Sequence, residues 1–134
     1  MKPLRALLAI LPFVLGACAS PGAPAGQPAQ SSYTLAPGQR IDLGGQATIA
    51  YDSFSDSRCP ESMKCMWAGE LTYRLTLHTP AATEQFSLGP SKPGYVSQAL
   101  GGARIALDPA KLPPVPPAGV APANYPVTVS VTRP

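Results

Sequence analysis

Polar and hydrophobic residues alternate along most of the chain from residue 33 onwards. The alternation is clearest in residues 70–79, whose inward face would consist of Leu71, Tyr73, Leu75 and Leu77. A period of two is typical of an antiparallel strand with one buried face. Similar short segments occur at residues 40–43, 47–51, 86–88, 95–98, 103–107 and 125–132. The sequence therefore predicts one all-β domain over residues 33–134, a small antiparallel sandwich or barrel of six to seven strands.

Two turns should fix the register of neighbouring strands. A three-residue loop over residues 44–46 pairs Ile41 with Ile49 and keeps their apolar side chains on one face. A two-residue glycine turn would instead split the apolar residues between both faces. In the next hairpin, pairing Leu77 with Phe86 leaves a four-residue loop.

Residues 109–126 contain seven prolines, which disfavour both helices and central strands. We expect this Pro-rich segment to be an extended connection that lies over the domain. The alternative is a ligand for an aromatic groove in another protein, because such grooves recognise Pro-rich chains.

The first 17 residues resemble an export signal. Lys2 and Arg5 precede ten largely apolar residues, too few to span a bilayer core of roughly 30 Å. The segment ends in Leu-Gly-Ala-Cys, which resembles a bacterial lipobox. This resemblance implies cleavage before Cys18 and attachment of lipid, including palmitate, to it. The alternative is an ordinary secretory signal followed by a chance cysteine.

Residues 18–32 are expected to form the lipidated Cys18 and a flexible tether. They contain no charge and no large apolar residue, so they cannot bury enough surface to fold. The thirteen residues 20–32, fully extended, reach roughly 40 Å. In lipoproteins, Ala19 rather than Asp after the lipidated cysteine favours the outer membrane facing the periplasm in a Gram-negative cell. In other bacteria the anchor would lie on the outer face of the cell membrane.

The charge balance of the exported part excludes an obvious nucleic-acid footprint. The whole chain has a formal net charge of +3, of which Lys2 and Arg5 supply two charges. Without them, eight basic residues face seven acidic ones. A nearly neutral domain lacks the basic surface that nucleic acids require, so none is predicted as a partner.

Residues 56–70, here called the central loop, contain the two cysteines that lipid does not consume. Export exposes Cys59 and Cys65 to oxidising conditions, so we expect them to form a disulfide. Trp67, the only tryptophan, is expected to lie over the disulfide or the sheet end as an apolar lid.

Two further residues shape the central loop. Gly69 suits a bulge or a tight bend before the next strand. Arg58 has three carboxylates within reach along the sequence, those of Asp56, Glu61 and Glu70. If exposed, such an ion pair would contribute little to stability.

The order Ser-Arg-Cys-Pro, four residues, Cys, one apolar residue and Trp-Ala-Gly-Glu resembles a family of small bacterial lipoproteins and secreted proteins. These proteins share a segment of the type SRCP…C-[IV]-WAG. The likeness centres on residues 56–77, and Met66 replaces the more usual Ile or Val. The resemblance implies export and a Cys59–Cys65 disulfide, and it implies no chemistry.

No catalytic residue, metal site or cofactor is predicted. His78 is the only histidine and lies on the polar face of a strand, and no Gly-x-Ser-x-Gly motif is present. Asp52 and Asp56 lack the glycine and glutamate that an EF-hand loop requires. Met63 and Met66 with His78 would make a soft copper site, but methionines near a tryptophan more often serve packing.

We therefore predict a monomeric, lipid-anchored envelope protein that acts by non-enzymatic binding or as a structural accessory. Its candidate binding loop presents Glu61, Met63, Lys64 and Trp67 to an envelope-protein or cell-wall partner. One alternative is an inhibitor that inserts this loop into the cleft of an envelope or extracellular hydrolase. Another is a small hydrolase with acidic residues around His78 or Tyr73. A fourth interpretation is that the disulfide only pins a long loop; Met63 and Lys64 would then pack inward or be freely replaceable.

Overall fold

The computed structural model describes residues 29–122 and 124–134, so Cys18 and most of the predicted tether lie outside the described residues. The strands are β1 Gln30–Leu35, β2 Arg40–Gly44, β3 Ala47–Asp56, β4 Leu71–His78, β5 Thr83–Leu88, β6 Gly94–Ser97, β7 Ala103–Leu107 and β8 Val127–Thr132. One short 3-10 helix, Pro109–Lys111, follows β7. Within residues 29–122 and 124–134, no helix is long and apolar enough to cross a membrane.

The strands form two four-stranded antiparallel sheets, ordered β1-β8-β7-β6 and β2-β3-β4-β5. The all-β prediction is confirmed, with eight strands rather than six to seven. Every second side chain of a strand faces the other sheet. Burying these apolar side chains away from water drives the two sheets together. The largest fully buried side chains are Tyr51, Tyr73, Leu35, Ile49, Leu71, Leu75, Leu77, Leu88, Ile105, Val127, Val129 and Val131.

The first predicted register is confirmed, because Ile41 lies opposite Ile49. The turn itself differs from the prediction: Gly44 lies opposite Ala47, and the register shifts between Asp42 and Gly44. A bulge at this point keeps Leu43 buried.

The second predicted register is wrong. Phe86 lies opposite Leu75, and Leu77 lies opposite Glu84. The turn has four residues, as predicted, but it lies at residues 79–82, one position earlier than the predicted pairing requires. A hydrogen bond from Thr79 N–H to the Ala82 carbonyl (2.9 Å) closes it there. A shift of two residues preserves which face each side chain occupies, so Phe86 is buried as predicted.

Strand β1 begins at Gln30, three residues before the predicted start of the domain at residue 33. Residues 30–32 are Gln-Ser-Ser with exposed side chains, so no alternation of apolar and polar residues identifies them as a strand. Their order comes from the backbone, since Gln30 lies opposite Thr132 in a continuous ladder with β8. The domain therefore includes the last three residues that composition assigned to the tether.

At one side of the sandwich, polar and aromatic contacts join the two sheets. The Phe86 and Tyr95 rings stack with centroids 4.2 Å apart. The Glu84 carboxylate accepts hydrogen bonds from Ser97 Oγ (2.5 Å) and from the Gln98 and Ala99 amides (3.1 and 3.0 Å). These contacts hold β5 against β6 and the turn that follows it.

The connections divide between two opposite ends. The tether pole contains the turns at residues 45–46, 79–82 and 98–102 and the start of β1. Arg133 holds this pole together, because its side chain donates to the Leu43 carbonyl (2.8 Å) and its amide to the Ala29 carbonyl (3.3 Å). The loop pole contains the longer connections, residues 57–70, 89–93 and 108–126. The ten residues of β3 separate the poles by roughly 33 Å.

Candidate functional site: the central loop

The base of the central loop continues the β3–β4 ladder. Ser57 N–H donates to the Glu70 carbonyl and Cys59 N–H to the Ala68 carbonyl, each over 2.9 Å. Gly69 lies between these pairs with φ +70°, a conformation that side chains rarely adopt. A Cβ atom on Gly69 would approach the Ser57 carbonyl oxygen to 1.7 Å. The predicted tight bend at Gly69 is therefore confirmed, and only glycine fits it.

The predicted disulfide is confirmed: Cys59 and Cys65 are bonded, with their Cα atoms 5.9 Å apart. Within the ring, Met63 N–H donates to the Pro60 carbonyl over 3.0 Å and forms a turn. The disulfide and this turn restrict the conformations that residues 60–64 can adopt before any partner binds.

Arg58 connects the central loop to the Pro-rich segment. Its Nε and Nη2 donate to the two carboxylate oxygens of Asp56 over 2.8 and 2.7 Å. Its Nη1 and Nη2 also donate to the carbonyls of Pro113 (2.9 Å) and Pro114 (3.2 Å). The Asp56 side chain is fully buried and that of Arg58 is 16% exposed. The two residues therefore form a partly buried, bidentate ion pair, which we call the Arg58 fork. It is not the weak surface pair that was considered for an exposed Arg58.

The charges of this pair are mutually stabilised. The Arg58 hydrogen bond lowers the pKa of Asp56 against the opposing effect of burial, with smaller contributions from the Arg58 charge and Tyr125. The Asp56 hydrogen bond in turn raises the pKa of Arg58. Beneath the pair, burial raises the pKa of Tyr73 to about 12. Folding therefore favours the ionised forms of both Asp56 and Arg58.

The tip of the central loop carries three apolar side chains that are in contact with solvent. Residues 61–70 are all exposed, and the exposed fractions are 53% for Met63, 90% for Met66 and 77% for Trp67. The predicted lid role of Trp67 is wrong. Leu112 and Tyr125 of the Pro-rich segment pack against the core instead, and the Tyr125 ring stacks on Phe54 at 4.9 Å. We call Met63, Met66 and Trp67 the apolar tip.

Two clefts flank the central loop, and Val115 lines both of them. One, of about 410 Å³, lies between the loop base and Pro90 and Ser91. The other, of about 240 Å³, lies between residues 60–62 and residues 115–117. The sequence did not predict that the Pro-rich segment lines these clefts. No local sequence pattern identifies the backbone carbonyls, those of Pro113 and Pro114, to which Arg58 donates.

Glu61, Met63, Lys64 and Trp67 all lie in the central loop at the loop pole, with their side chains exposed. His78 lies elsewhere: it ends β4 at the tether pole, with Nδ1 3.2 Å from Thr83 Oγ1. It therefore cannot join Met63 and Met66 around one metal ion. Across residues 29–122 and 124–134, no three His, Cys, Asp or Glu side chains are grouped closely enough to hold a metal.

The geometry also bears on the hydrolase alternative. Tyr73 is 1% exposed within the core, so its hydroxyl is not presented to a substrate. Each of the four main clefts of the described residues has at most one carboxylate in its lining, and His78 lines none of them. The predicted grouping of acids around either residue is not found in this part of the chain.

Comparison with known proteins gives no relative to guide the interpretation. No protein-family model, curated protein or solved structure matches this chain. The resemblance of the SRCP…CMWAGE segment to small bacterial lipoproteins therefore stays a prediction.

The close approach at Gly69 gives a test of how the loop base is built. We expect Gly69→Ala to lower the free energy of unfolding by about 3 kcal/mol or more, because the new methyl group meets backbone rather than a movable side chain. Gly45→Ala is the matched control, since Gly45 also has a positive φ (+61°) but open space at its Cβ. Urea unfolding of both variants measures the difference; equal losses would contradict the steric account.

The Asp56–Arg58 pair gives a pH-dependent test. The pKa of Asp56 is lowered from 3.8 by folding, so its stabilisation is fully present above pH 4 and is lost as the pH falls through the folded-state pKa. Asp56→Asn should cost about 1–3 kcal/mol at pH 7, and this deficit should shrink below pH 4. Urea unfolding at pH 7, 5 and 3 measures it, with Glu61→Gln on the same loop as control. A deficit that is constant with pH would refute the assignment.

Proposed function

We propose that this protein is a lipid-anchored bacterial envelope protein that acts as a non-enzymatic binding module, with the apolar tip of the central loop as its contact surface. The observation that carries the proposal is the exposure of Met63, Met66 and Trp67 on a loop closed by a disulfide. The lipid anchor rests on the lipobox-like residues before Cys18 and on the tether that follows them.

The exposure of the tip matters because these side chains are among the strongest contributors to protein interfaces. Of the six large hydrophobic residues exposed in the described chain, three lie within five consecutive positions of this loop. Tryptophan and methionine are enriched at interfaces, where burying one such side chain contributes about 1.5–3 kcal/mol. A residue needed for the core would be packed inward, so the exposure of the tip is what a contact surface requires, and replacing the tip separates binding from a purely structural loop.

The rigidity of the loop reduces what a partner must supply. The disulfide, the Pro60–Met63 turn and the Arg58 fork restrict the loop while it is free. Ordering a flexible side chain or loop on binding costs about 0.5–1.5 kcal/mol per immobilised side chain. Much of that cost is met during folding, which supports a contact role for this surface.

The position of the tip also fits an anchored protein. The chain enters the domain at the tether pole, and the apolar tip lies at the loop pole. With lipid on Cys18, the tip would be presented on the side of the domain opposite the attachment point. The partner would then be an envelope protein or a wall component that lies within reach of the tether and the domain.

Truncating two of the three residues of the apolar tip should weaken partner binding without unfolding the domain. Trp67→Ala combined with Met66→Ala should weaken binding by about 30-fold or more, the equivalent of about 2 kcal/mol. The control is Val96→Ser, which alters a hydrophobic residue of β6 that is 47% exposed. The full chain is used for affinity capture from the native envelope, and the affinity of the captured partner is then measured for each variant. Equal capture by all variants, or none by the unaltered chain, would reduce the loop to a structural staple.

A second function, inhibition of an envelope or extracellular hydrolase, is favoured by one specific observation. Met63 and Lys64 are both exposed within the disulfide ring, where an inhibitory wedge would need them. A closed ring of this kind can enter an enzyme cleft with little conformational entropy left to lose. This function uses the same surface with a narrower class of partner.

The inhibitory function is tested by incubating the full chain with a cell-wall hydrolase and with a protease that cleaves after basic residues. Inhibition should be weakened about tenfold or more by Lys64→Ala and left unchanged by Lys92→Ala, which alters a lysine of the β5–β6 connection. Inhibition that survives Lys64→Ala would assign it to another surface. No inhibition of either enzyme at micromolar concentration would leave the general binding function as the better account.

A further inference from the structure

The outer edge of β1 differs from the other three sheet edges. Strand β1 makes six consecutive pairs with β8 without a register shift, and its residues Gln-Ser-Ser-Tyr-Thr-Leu include no charge and no proline. Within the described residues, no strand pairs with its other side. A long, regular, uncharged edge is a template for pairing with another strand.

The remaining edges carry features that oppose such pairing. Strand β2 has a bulge next to Asp42, whose carboxylate accepts a 2.6 Å hydrogen bond from Gly44 N–H. Strand β6 has four residues and follows Pro93. Strand β5 lies against β6 through Glu84 and the stacked Phe86 ring. Charge, bulges, short length and coverage are the usual ways in which edges avoid association, and within residues 29–122 and 124–134 β1 shows none of them.

The register shows which backbone groups of β1 are free. Arg133 N–H donates to the Ala29 carbonyl, and these two residues lie opposite each other in the extended β1–β8 register. Hydrogen-bonded and non-hydrogen-bonded pairs alternate along an antiparallel ladder, so odd-numbered β1 residues bond to β8. The amide and carbonyl groups of Gln30, Ser32 and Thr34 therefore face the open edge.

This pattern is complementary to itself. In an antiparallel pair of two β1 strands centred on Ser32, each Ser32 lies opposite the other, and Gln30 lies opposite Thr34 of the second copy. All three outward residues then fall in hydrogen-bonded pairs, which gives about six backbone hydrogen bonds. The opposed side chains are small or uncharged, so no like charges meet. We propose that β1 is a self-association edge, where two copies of this chain join their four-stranded sheets into one sheet of eight strands.

The pairing is expected to be weak in dilute solution. A contact made by one strand from each copy falls below the roughly 1,000 Å² of a stable interface. The domain should thus be a monomer at low concentration, in agreement with the sequence-based prediction. On a membrane, the proposed lipid anchor would raise the local concentration towards about millimolar values, where a weak pairing becomes populated. The inference therefore rests on the proposed anchor for its setting, but not on the central loop.

Cysteine cross-linking of the full chain in the native envelope tests the pairing and its register. Ser32→Cys should give a disulfide-linked dimer on mild oxidation, because opposed residues of a hydrogen-bonded pair have Cα atoms about 5.5 Å apart. Gln30→Cys and Thr34→Cys should cross-link when the two variants are produced together and much less when either is alone. Ser31→Cys is the matched control, with a yield expected to be about fivefold lower or less, since Ser31 lies opposite Tyr33 of the second copy.

Proline substitution separates pairing from folding. Ser32→Pro removes an outward amide only, so it should abolish the Gln30→Cys/Thr34→Cys cross-link while leaving the thermal midpoint nearly unchanged. Ser31→Pro removes an amide that bonds to β8, so it should lower the thermal midpoint. Cross-linking that persists with Ser32→Pro, or that ignores the predicted register, would overturn the proposal.

A repeat with the purified full chain at about millimolar concentration distinguishes a failure of the edge from a failure of the anchor. If Ser32→Cys cross-links in solution but not in the envelope, pairing through β1 is supported and its promotion by the membrane anchor is refuted. Absence of cross-linking in both would refute self-association. Loss of partner binding by the apolar tip would have no effect on either result.

Discussion

The hydrogen-bonded fork between Arg58 and Asp56 is the interaction on which the loop pole depends. It joins Asp56, the last residue of β3, to Arg58 and, through two proline carbonyls, to a segment more than fifty residues further along the chain. Removing one partner of such a pair leaves the other charge desolvated and costs more than the intact pair contributes. The fork holds the Pro-rich segment near the central loop, Leu112 and Tyr125 of that segment pack against the core, and the apolar tip stays exposed.

Much of the fold could be predicted because it depends on side-chain parity. The alternation in β4 identifies which residues are buried, and it does so whatever the exact pairing of the neighbouring strand. Register is a finer property: pairing Phe86 with Leu77 or with Leu75 satisfies the same parity, and the hydrogen bonds of Thr79 decide between them. The first three residues of β1 had no such signal, because their exposed side chains leave only the backbone to hold them.

The candidate site was predictable in its chemistry but not in its orientation. The expectation of export, together with two cysteines at a short spacing, was enough to predict the Cys59–Cys65 disulfide. The direction of Trp67 could not be predicted, because Leu112 and Tyr125, which pack against the core in its place, are distant from it in sequence. Likewise, three carboxylates lay within reach of Arg58 along the chain, and only the folded backbone aligns Asp56 with its guanidinium group.

The separation of the two poles also has a mechanical consequence. If the chain is held by lipid at its N-terminus and pulled by a partner at the central loop, the force enters β1 along the strand axis. Such a load shears the β1–β8 ladder, so its hydrogen bonds share the force instead of opening one after another as in a zipper. The strand that begins the domain would thus serve as the mechanical joint between the tether and the folded sandwich.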